Sequence, residues 1–141
     1  MTRQAIRYDD VNVGDAIPTL TTAPISRTTL ALYAGASGDH NPMHIDIDFA
    51  KKAGVPDVFA HGMLSMGYLG RILTGFVPQK QIRSYGVRFS AITQVGDAVA
   101  CTGKIVEKFE ADGEKRVKLA LQAANQKGVV TLVGDAVIAL P

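Results

Sequence analysis

The fold is decided by one stretch of the sequence, Gly62-Met63-Leu64-Ser65-Met66-Gly67-Tyr68-Leu69-Gly70-Arg71-Ile72-Leu73. Its apolar residues spread around all sides of a helix, and a helix that is apolar all round is buried. Gly67 and Gly70 each cost about 1 kcal/mol of helix propensity. We interpret them as places where another backbone approaches closely. Gly75 and Pro78 are predicted to end the helix.

After Pro78 the sequence alternates apolar and polar residues, which is the pattern of β-strands. The alternation covers residues 83–91, 99–105 and 117–123, and residues 129–140 are almost continuously apolar. Asp112-Gly113 is the strongest hairpin signal in the chain. We therefore predict an α+β, two-layer fold, in which a meander of about four antiparallel strands wraps around the long central helix.

Upstream of the central helix, two shorter helices are predicted, with a loop between them. Ser26 is a good N-cap for a helix of about ten residues, and Gly38 is a natural stop. A short helix through residues 49–52 ends at Gly54. The loop from Asp39 to Ile45 contains Pro42, so it is not plain helix interior.

Length and composition favour one domain that covers residues 1–141. Hydrophobic residues make up 47% of the chain, and the net charge is +2. No run of Lys and Arg is longer than Lys51-Lys52, which argues against a nucleic-acid partner. Cys101 is the single cysteine, so no intrachain disulfide forms, and a free thiol fits the cytoplasm. The N-terminus lacks the apolar core of a signal peptide, and no apolar run reaches membrane-spanning length.

The candidate chemistry lies in the loop and at the start of the helix. Asp39 and His44 are a carboxylate and an imidazole on either side of Pro42, and together they can hold one water molecule. The N–H of Gly62 is a free amide at the positive end of a helix, suited to a developing negative charge. The alternative is structural: Asp39 caps a turn, His44 satisfies a carbonyl, and Gly62 forms a tight turn.

A metal site is a further alternative, because acidic and histidine side chains are dense between residues 39 and 61. His40 and His44 are four residues apart, but Pro42 spoils the helical face that such ligand pairs use. We predict no metal and no cofactor. His61 is expected to form a hydrogen bond that orients the start of the helix.

The segment from Tyr33 to Asp46 contains Ser37-Gly38-Asp39-His40-Asn41-Pro42-Met43-His44, which resembles the signature of the MaoC-like dehydratases, the R-specific enoyl-CoA hydratases. His61-Gly62-Met63-Leu64 resembles the start of the central hot-dog helix of that family. Residues 87–91 and 95–97 resemble the strand and turn that follow it. The similarity covers most of the chain.

This resemblance implies a single hot-dog fold, usually a homodimer. It also implies reversible syn hydration of a trans-2-enoyl thioester to the (R)-3-hydroxyacyl thioester. Asp39 and His44 would be the catalytic pair, Gly62 the amide donor to the thioester oxygen, and Asn41 a supporting polar residue at the substrate. The substrate carrier, CoA or acyl carrier protein, stays open.

Two rival functions remain at this point. A hot-dog thioesterase binds the same substrates with a helix N-terminus but releases the thiol. A non-catalytic subunit would bind acyl thioesters, or support a divergent homologue in a heteromeric dehydratase.

Overall fold

The structure, a computed structural model, describes residues 4–141. Residues 1–3 begin the N-terminal segment in which no signal peptide is expected, and they lie outside the described residues. In chain order the strands and α-helices are β1 (Leu20–Thr21), α1 (Arg27–Ser37), α2 (Ile47–Lys52), α3 (Gly62–Phe76), β2 (Ile82–Phe89), β3 (Ala100–Ala111), β4 (Glu114–Ala124) and β5 (Val130–Ala139).

The central helix α3 is present where it was predicted, but it is longer. Gly75 lies inside it, and the helix ends at Phe76. A glycine costs only about 1 kcal/mol in a helix, and the buried Phe76 side chain beyond it offsets that cost. Val77 turns extended, with its amide bonded to the carbonyl of Leu73. The predicted stop at Gly75 was therefore wrong by one residue.

Only part of the surface of α3 is buried, which corrects the expectation of a helix buried on all sides. Six residues face the core: Leu64, Ser65, Leu69, Ile72, Leu73 and Phe76. An exposed stripe runs along the opposite side through Met63, Gly67, Arg71 and Thr74. The single chain covers one side of the helix because α3 lies against one curled sheet, in contact with β1, β2, β3 and β4.

Gly67 and Gly70 of α3 were expected to face a neighbouring backbone, but they do not. No heavy atom lies within 4 Å of the position that a Cβ would take at Gly67. At Gly70 the neighbour is a side chain, because a Cβ there would lie 3.3 Å from the ring of Tyr85. The hydroxyl of Tyr85 donates to the carbonyl of Met66 at 2.6 Å, which holds that ring on the helix.

The sheet has five antiparallel strands in the order β1-β3-β4-β5-β2. The predicted meander is correct for β3, β4 and β5. However, β2 does not pair with β3, its successor in sequence, but with β5. Residues 90–99 make a connection too long for a tight hairpin, and the far edge of β3 is taken by the short strand β1. That strand was not predicted.

Turns and bulges give the sheet its curl. Asp112 and Gly113 both have positive φ, at 53° and 73°, which is the type I′ geometry of a two-residue hairpin. The register shifts in three strand pairs, including between Ile105 and Glu107 of β3. Such bulges increase twist and bend the strand. The curled sheet around α3 confirms the predicted α+β hot-dog fold.

The shorter helices also follow their sequence signals. The Ser26 hydroxyl accepts from the amide of Thr29 at the start of α1, and Gly38 ends that helix in the left-handed region. Asp46 caps α2, whose predicted start at residue 49 is two residues late. Among residues 4–141, no helix combines the length and the apolar character needed to cross a membrane.

Candidate active site

The loop between α1 and α2 is held in shape by its own short polar side chains. A carboxylate oxygen of Asp39 accepts from the amide of Asn41 at 3.2 Å. The side-chain oxygen of Asn41 in turn accepts from the amide of Met43 at 3.1 Å, which caps a 3₁₀ turn over Pro42–His44. Pro42 supplies the first residue of that turn with its φ already fixed. The loop therefore presents Asp39 and His44 from a stiff bend.

His44 is buried and bonded through one ring nitrogen. Its Nδ1 lies 2.6 Å from the carbonyl oxygen of Phe59. A carbonyl only accepts, so Nδ1 carries the hydrogen, and in the neutral ring Nε2 keeps its lone pair. The Phe59 ring packs edge-on against the imidazole, with the ring centroids 5.1 Å apart. The structural alternative for His44 is thus half correct: it does satisfy a carbonyl, and its other nitrogen is left for chemistry.

His61 lies directly beside His44. The two imidazoles are stacked, with centroids 3.9 Å apart and ring planes 27° apart. The Nε2–H of His61 donates to the backbone carbonyl of Asp39 at 3.1 Å. Burial lowers the pKa of His61 and outweighs the opposing effect of its hydrogen bond to Asp39, so the neutral imidazole is favoured near neutral pH. His61 does make a structural hydrogen bond, as expected, but to the Asp39 loop.

Asp39, His44 and His61 form one cluster at this point. One side-chain atom from each, a nitrogen or a carboxylate oxygen, lies within 4.8 Å of the other two. Asp39 is exposed, whereas both imidazoles are buried. Asp39 and His44 are thus close enough to contact a single water molecule between them.

The same three residues are the kinds of side chain that hold transition metals. The lone pairs of nearly parallel stacked rings lie in two nearly parallel planes, whereas ligands of one ion must converge on it. This arrangement suits a proton-handling pair better than a metal site. The absence of a metal from the working protein stays a prediction.

Gly62 is the first residue of α3, so its N–H has no intrahelical partner. It also forms no hydrogen bond with any other residue in the range 4–141. Gly62 lines an open cleft of about 330 Å³, together with residues that include Ser65, Phe89 and Thr93. Phe89 covers the Cα of Gly62 closely, because a Cβ at residue 62 would lie 2.8 Å from its ring.

The cleft and the Asp39–His44 pair meet at the segment from Phe59 to Gly62. Phe59 lines the cleft with its side chain while its carbonyl binds His44. His61 contacts the pair, and Gly62, the next residue, contributes to the cleft. Asp39 and His44 themselves do not line the cleft. They are joined to its wall through this segment, by the bond from His44 to the Phe59 carbonyl and the bond from His61 to the Asp39 carbonyl.

Three further polar residues, Asn41, Ser65 and Thr93, lie in or near the site. Asn41 does not line the cleft, and its side-chain oxygen is engaged in the cap, so a substrate contact by Asn41 stays a prediction. Ser65 is buried in the cleft wall, with its Oγ 3.5 Å from the hydroxyl of Thr93. Thr93 was missed, because one threonine in a connection between strands carries no signal in the sequence.

Comparison with known proteins adds independent information. The sequence model of the MaoC like domain matches residues 10–127. The (R)-specific enoyl-CoA hydratase of Rhodospirillum rubrum is 27% identical over 136 residues, covering 95% of this chain and 91% of the relative. The mitochondrial 3-hydroxyacyl-(acyl-carrier-protein) dehydratase of Arabidopsis thaliana is 28% identical over 132 residues, covering 93% of this chain and 78% of the relative.

Solved structures agree with the sequence comparison. The unliganded R-hydratase PhaJ1 from Pseudomonas aeruginosa has a TM-score of 0.84 at 29% identity, covering 97% of this chain and 86% of that chain. The relatives named here are hydratases and dehydratases, and the solved structure shares the fold of this chain. The chain belongs to the family of MaoC-like domains, the hydratase and dehydratase group of hot-dog proteins.

Proposed function

We propose that the protein is an R-specific enoyl-thioester hydratase/dehydratase. It would add water reversibly, in syn fashion, to a trans-2-enoyl group on CoA or acyl carrier protein, giving the (R)-3-hydroxyacyl thioester. The observation that supports this most directly is the cluster of Asp39 and His44 with His61, the residue that directly precedes the free amide of Gly62. The R configuration is carried over from the named relatives.

Hydration needs a group that takes a proton from water and a group that returns one to carbon. In the proposed reaction the Asp39–His44 pair accepts a proton as the water oxygen attacks C3, and a proton held by the pair goes to C2. The water thus supplies both the hydroxyl and the hydrogen, and the enzyme ends as it began. Because both groups lie within 4.8 Å of each other, the two additions come from one face of the substrate, which is syn addition.

Between the two proton transfers, negative charge builds on the thioester oxygen. The Gly62 N–H and the positive end of α3 are suited to stabilise that charge. Water attack at the carbonyl carbon in the same cleft would instead make the protein a thioesterase. Two proton-handling groups held together favour hydration, because addition across C=C requires both a base and an acid.

We further propose that residues 1–141 form one domain, which works as a homodimer in the cytoplasm. Strand β2 is an edge of the sheet, with β5 on one side only. Its last residue, Phe89, is an exposed apolar side chain that also lines the cleft, and Met63 at the start of α3 is exposed as well. A second copy, or a divergent homologue, would cover them.

The test is hydration of crotonyl-CoA by the wild-type protein and by the variants Asp39→Asn, His44→Ala and His40→Ala. Losing either member of the pair is expected to lower kcat by about 10²–10⁴-fold. His40 is an exposed histidine of the same loop, and its replacement is expected to leave kcat unchanged. Circular dichroism and thermal unfolding check that each variant is folded.

Near-normal turnover in Asp39→Asn or His44→Ala would remove the proposed mechanism. Thiol release from a saturated acyl-CoA would identify a thioesterase instead. Binding of enoyl-CoA without turnover would identify a non-catalytic subunit. The configuration of the 3-hydroxyacyl product tests the R assignment.

A further inference from the structure

His61 is the most deeply buried titratable side chain at the site, with 1% of its surface exposed, and the proposed reaction does not use it. It occupies the N-cap position of α3 but makes no capping hydrogen bond. A Ser, Thr, Asp or Asn at an N-cap normally bonds to the first helix amides. The side chain of His61 points instead to the loop that carries Asp39.

The hydrogen bond from His61 to Asp39 joins that loop to the start of the central helix. The Nε2–H of His61 donates to the carbonyl oxygen of Asp39 at 3.1 Å, across 22 positions in the sequence. The other hydrogen bonds recorded for Asp39 within residues 4–141 reach only two positions, to Ser37 and Asn41. His61 therefore provides the long-range hydrogen bond at the residue whose carboxylate the mechanism needs.

The ring of His61 also restrains His44. The stack at 3.9 Å limits how the His44 imidazole can tilt, and the bond from Nδ1 to Phe59 fixes its direction in the plane. Together these two contacts determine where the free Nε2 points. Tyr33 packs edge-on against His61, with the ring centroids 4.8 Å apart. This contact restrains the His61 ring, which in turn stacks on His44.

If His61 served only to pack against its neighbours, an imidazole would be an unfavourable side chain at this position. The Nδ1 of His61 is buried and has no hydrogen-bond partner among the described residues. Unsatisfied buried polar atoms are rare and ask for an explanation. A phenylalanine would keep the stack without an unpaired nitrogen, but it could not donate to Asp39. Burial also keeps His61 uncharged, so it does not oppose a proton on His44.

We propose that His61 is a positioning residue for the reaction: its Nε2–H sets the Asp39 loop, and its ring sets the plane of His44. Because His61 directly precedes Gly62, one side chain connects all three groups of the proposed site. This inference rests on the proposed function, since it concerns the same catalytic pair.

The experiment compares His61→Phe, which keeps a ring but loses the donor, with His61→Gln, which keeps an N–H donor but loses the ring. Both are measured for kcat and KM with crotonyl-CoA, and for thermal unfolding. In His61→Phe, kcat is expected to fall about 100-fold, because small misplacements of reacting groups cost that much. KM is expected to stay within about threefold, since no substrate contact is removed.

In His61→Gln the retained donor is expected to restore kcat to within about tenfold of wild type. His40→Gln serves as the matched control, because it makes the same replacement at an exposed position of the loop, and it is expected to behave as wild type. A residue that acts only through packing would favour Phe over Gln, which is the opposite order.

Three results would overturn the inference. A wild-type kcat in both folded variants would show that the reaction needs neither the donor nor the ring of His61. A better kcat in His61→Phe than in His61→Gln would overturn the role of the Nε2–H donor and leave only the contact of the ring. Absence of hydration by the wild-type protein would reject the proposed function, and the inference with it, whereas the first two results leave that function standing.

Discussion

Gly62 combines a free donor with a close steric contact at one residue. Its N–H has no partner in the described chain, and the ring of Phe89 covers its Cα. The preceding residue, His61, has φ −58° and ψ 132°, which is the conformation that residues before proline adopt. Proline is also favoured at the first position of a helix. The local backbone is therefore suited to a substitution that removes only the amide hydrogen.

Gly62→Pro is expected to lower kcat for enoyl-CoA hydration by about 10²–10³-fold, the usual cost of losing one oxyanion donor. Gly62→Ala is the control, because it keeps the amide but adds the Cβ that both variants place against Phe89 at 2.8 Å. Steady-state kinetics on the two folded variants separate the effects. Equal kcat values in Gly62→Pro and Gly62→Ala would contradict a role for this amide.

His61 makes the stability of the protein depend on pH. Its pKa is lowered in the folded state by burial, whereas in the unfolded chain it stays near the ordinary value of about 6.5. Between those two values the unfolded state binds more protons, so stability falls as the pH drops below about 6.5. Well above that pH the imidazole is neutral in both states and contributes no pH dependence.

We expect the free energy of unfolding to fall less on acidification in His61→Gln than in the wild type. Urea unfolding at about pH 7.5 and about pH 5.5 measures this, because the two conditions lie on either side of the unfolded-state pKa of about 6.5. His40→Gln controls for the loss of an exposed imidazole and is expected to keep the wild-type difference. The idea fails if His61→Gln keeps the full wild-type pH dependence.

At the scale of the elements, the pairing of β2 with β5 depends on one glycine. A Cβ on Gly134 of β5 would collide with the carbonyl oxygen of Gly86 and lie 2.9 Å from a methyl carbon of Val87. The backbones of these two strands thus approach closely where their side chains are absent. At Gly86 itself, no heavy atom lies within 4 Å of the Cβ position.

Gly134→Ala is therefore expected to lower the free energy of unfolding by about 1–3 kcal/mol, the usual cost of overpacking. Gly86→Ala, on the neighbouring strand, is the matched control and is expected to change stability little. Urea denaturation of both variants provides the comparison. Equal stability of the two variants would mean that the β2–β5 contact is looser than described.

At the scale of the whole molecule, the core between α3 and the sheet encloses the single thiol. Cys101 of β3 is 0% exposed, and burial raises the pKa of its thiol to about 11. A thiol in this state is neither accessible nor ionised at neutral pH, so it does not react. Its reaction with a thiol reagent therefore requires the core to open.

We expect native protein to resist a thiol reagent at about pH 8 and to be labelled fully in urea, with a rate that follows global unfolding. The double variant Cys101→Ser, Thr102→Cys moves the thiol to the exposed neighbouring residue, and it is expected to react at once without denaturant. Rapid labelling of the native wild-type protein would reveal local opening of β3.

Much of the fold could be predicted from local patterns. The spacing of apolar residues along the sequence predicted α3 and the long strands. Asp112-Gly113 predicted the hairpin, and Ser26 and Gly38 predicted the two ends of α1. The spacing of Asp39 and His44 around Pro42 also brought the two side chains together, because a short loop closed by its own caps depends on neighbouring residues. Each of these features is set by residues close together in the chain.

The remaining features were decided by tertiary structure. The sequence did not reveal that β2 lies beside β5, that Phe89 covers Gly62, or that His61 stacks on His44 and holds Asp39. The sequence pattern also predicted that α3 is buried on all sides, whereas the single chain buries only part of its surface. Each of these contacts joins residues that are distant in the chain, and local periodicity records which face of an element is apolar but not which neighbour covers it. That is why the sequence by itself determined the elements and the candidate pair, and only folding in three dimensions assembled the site around them.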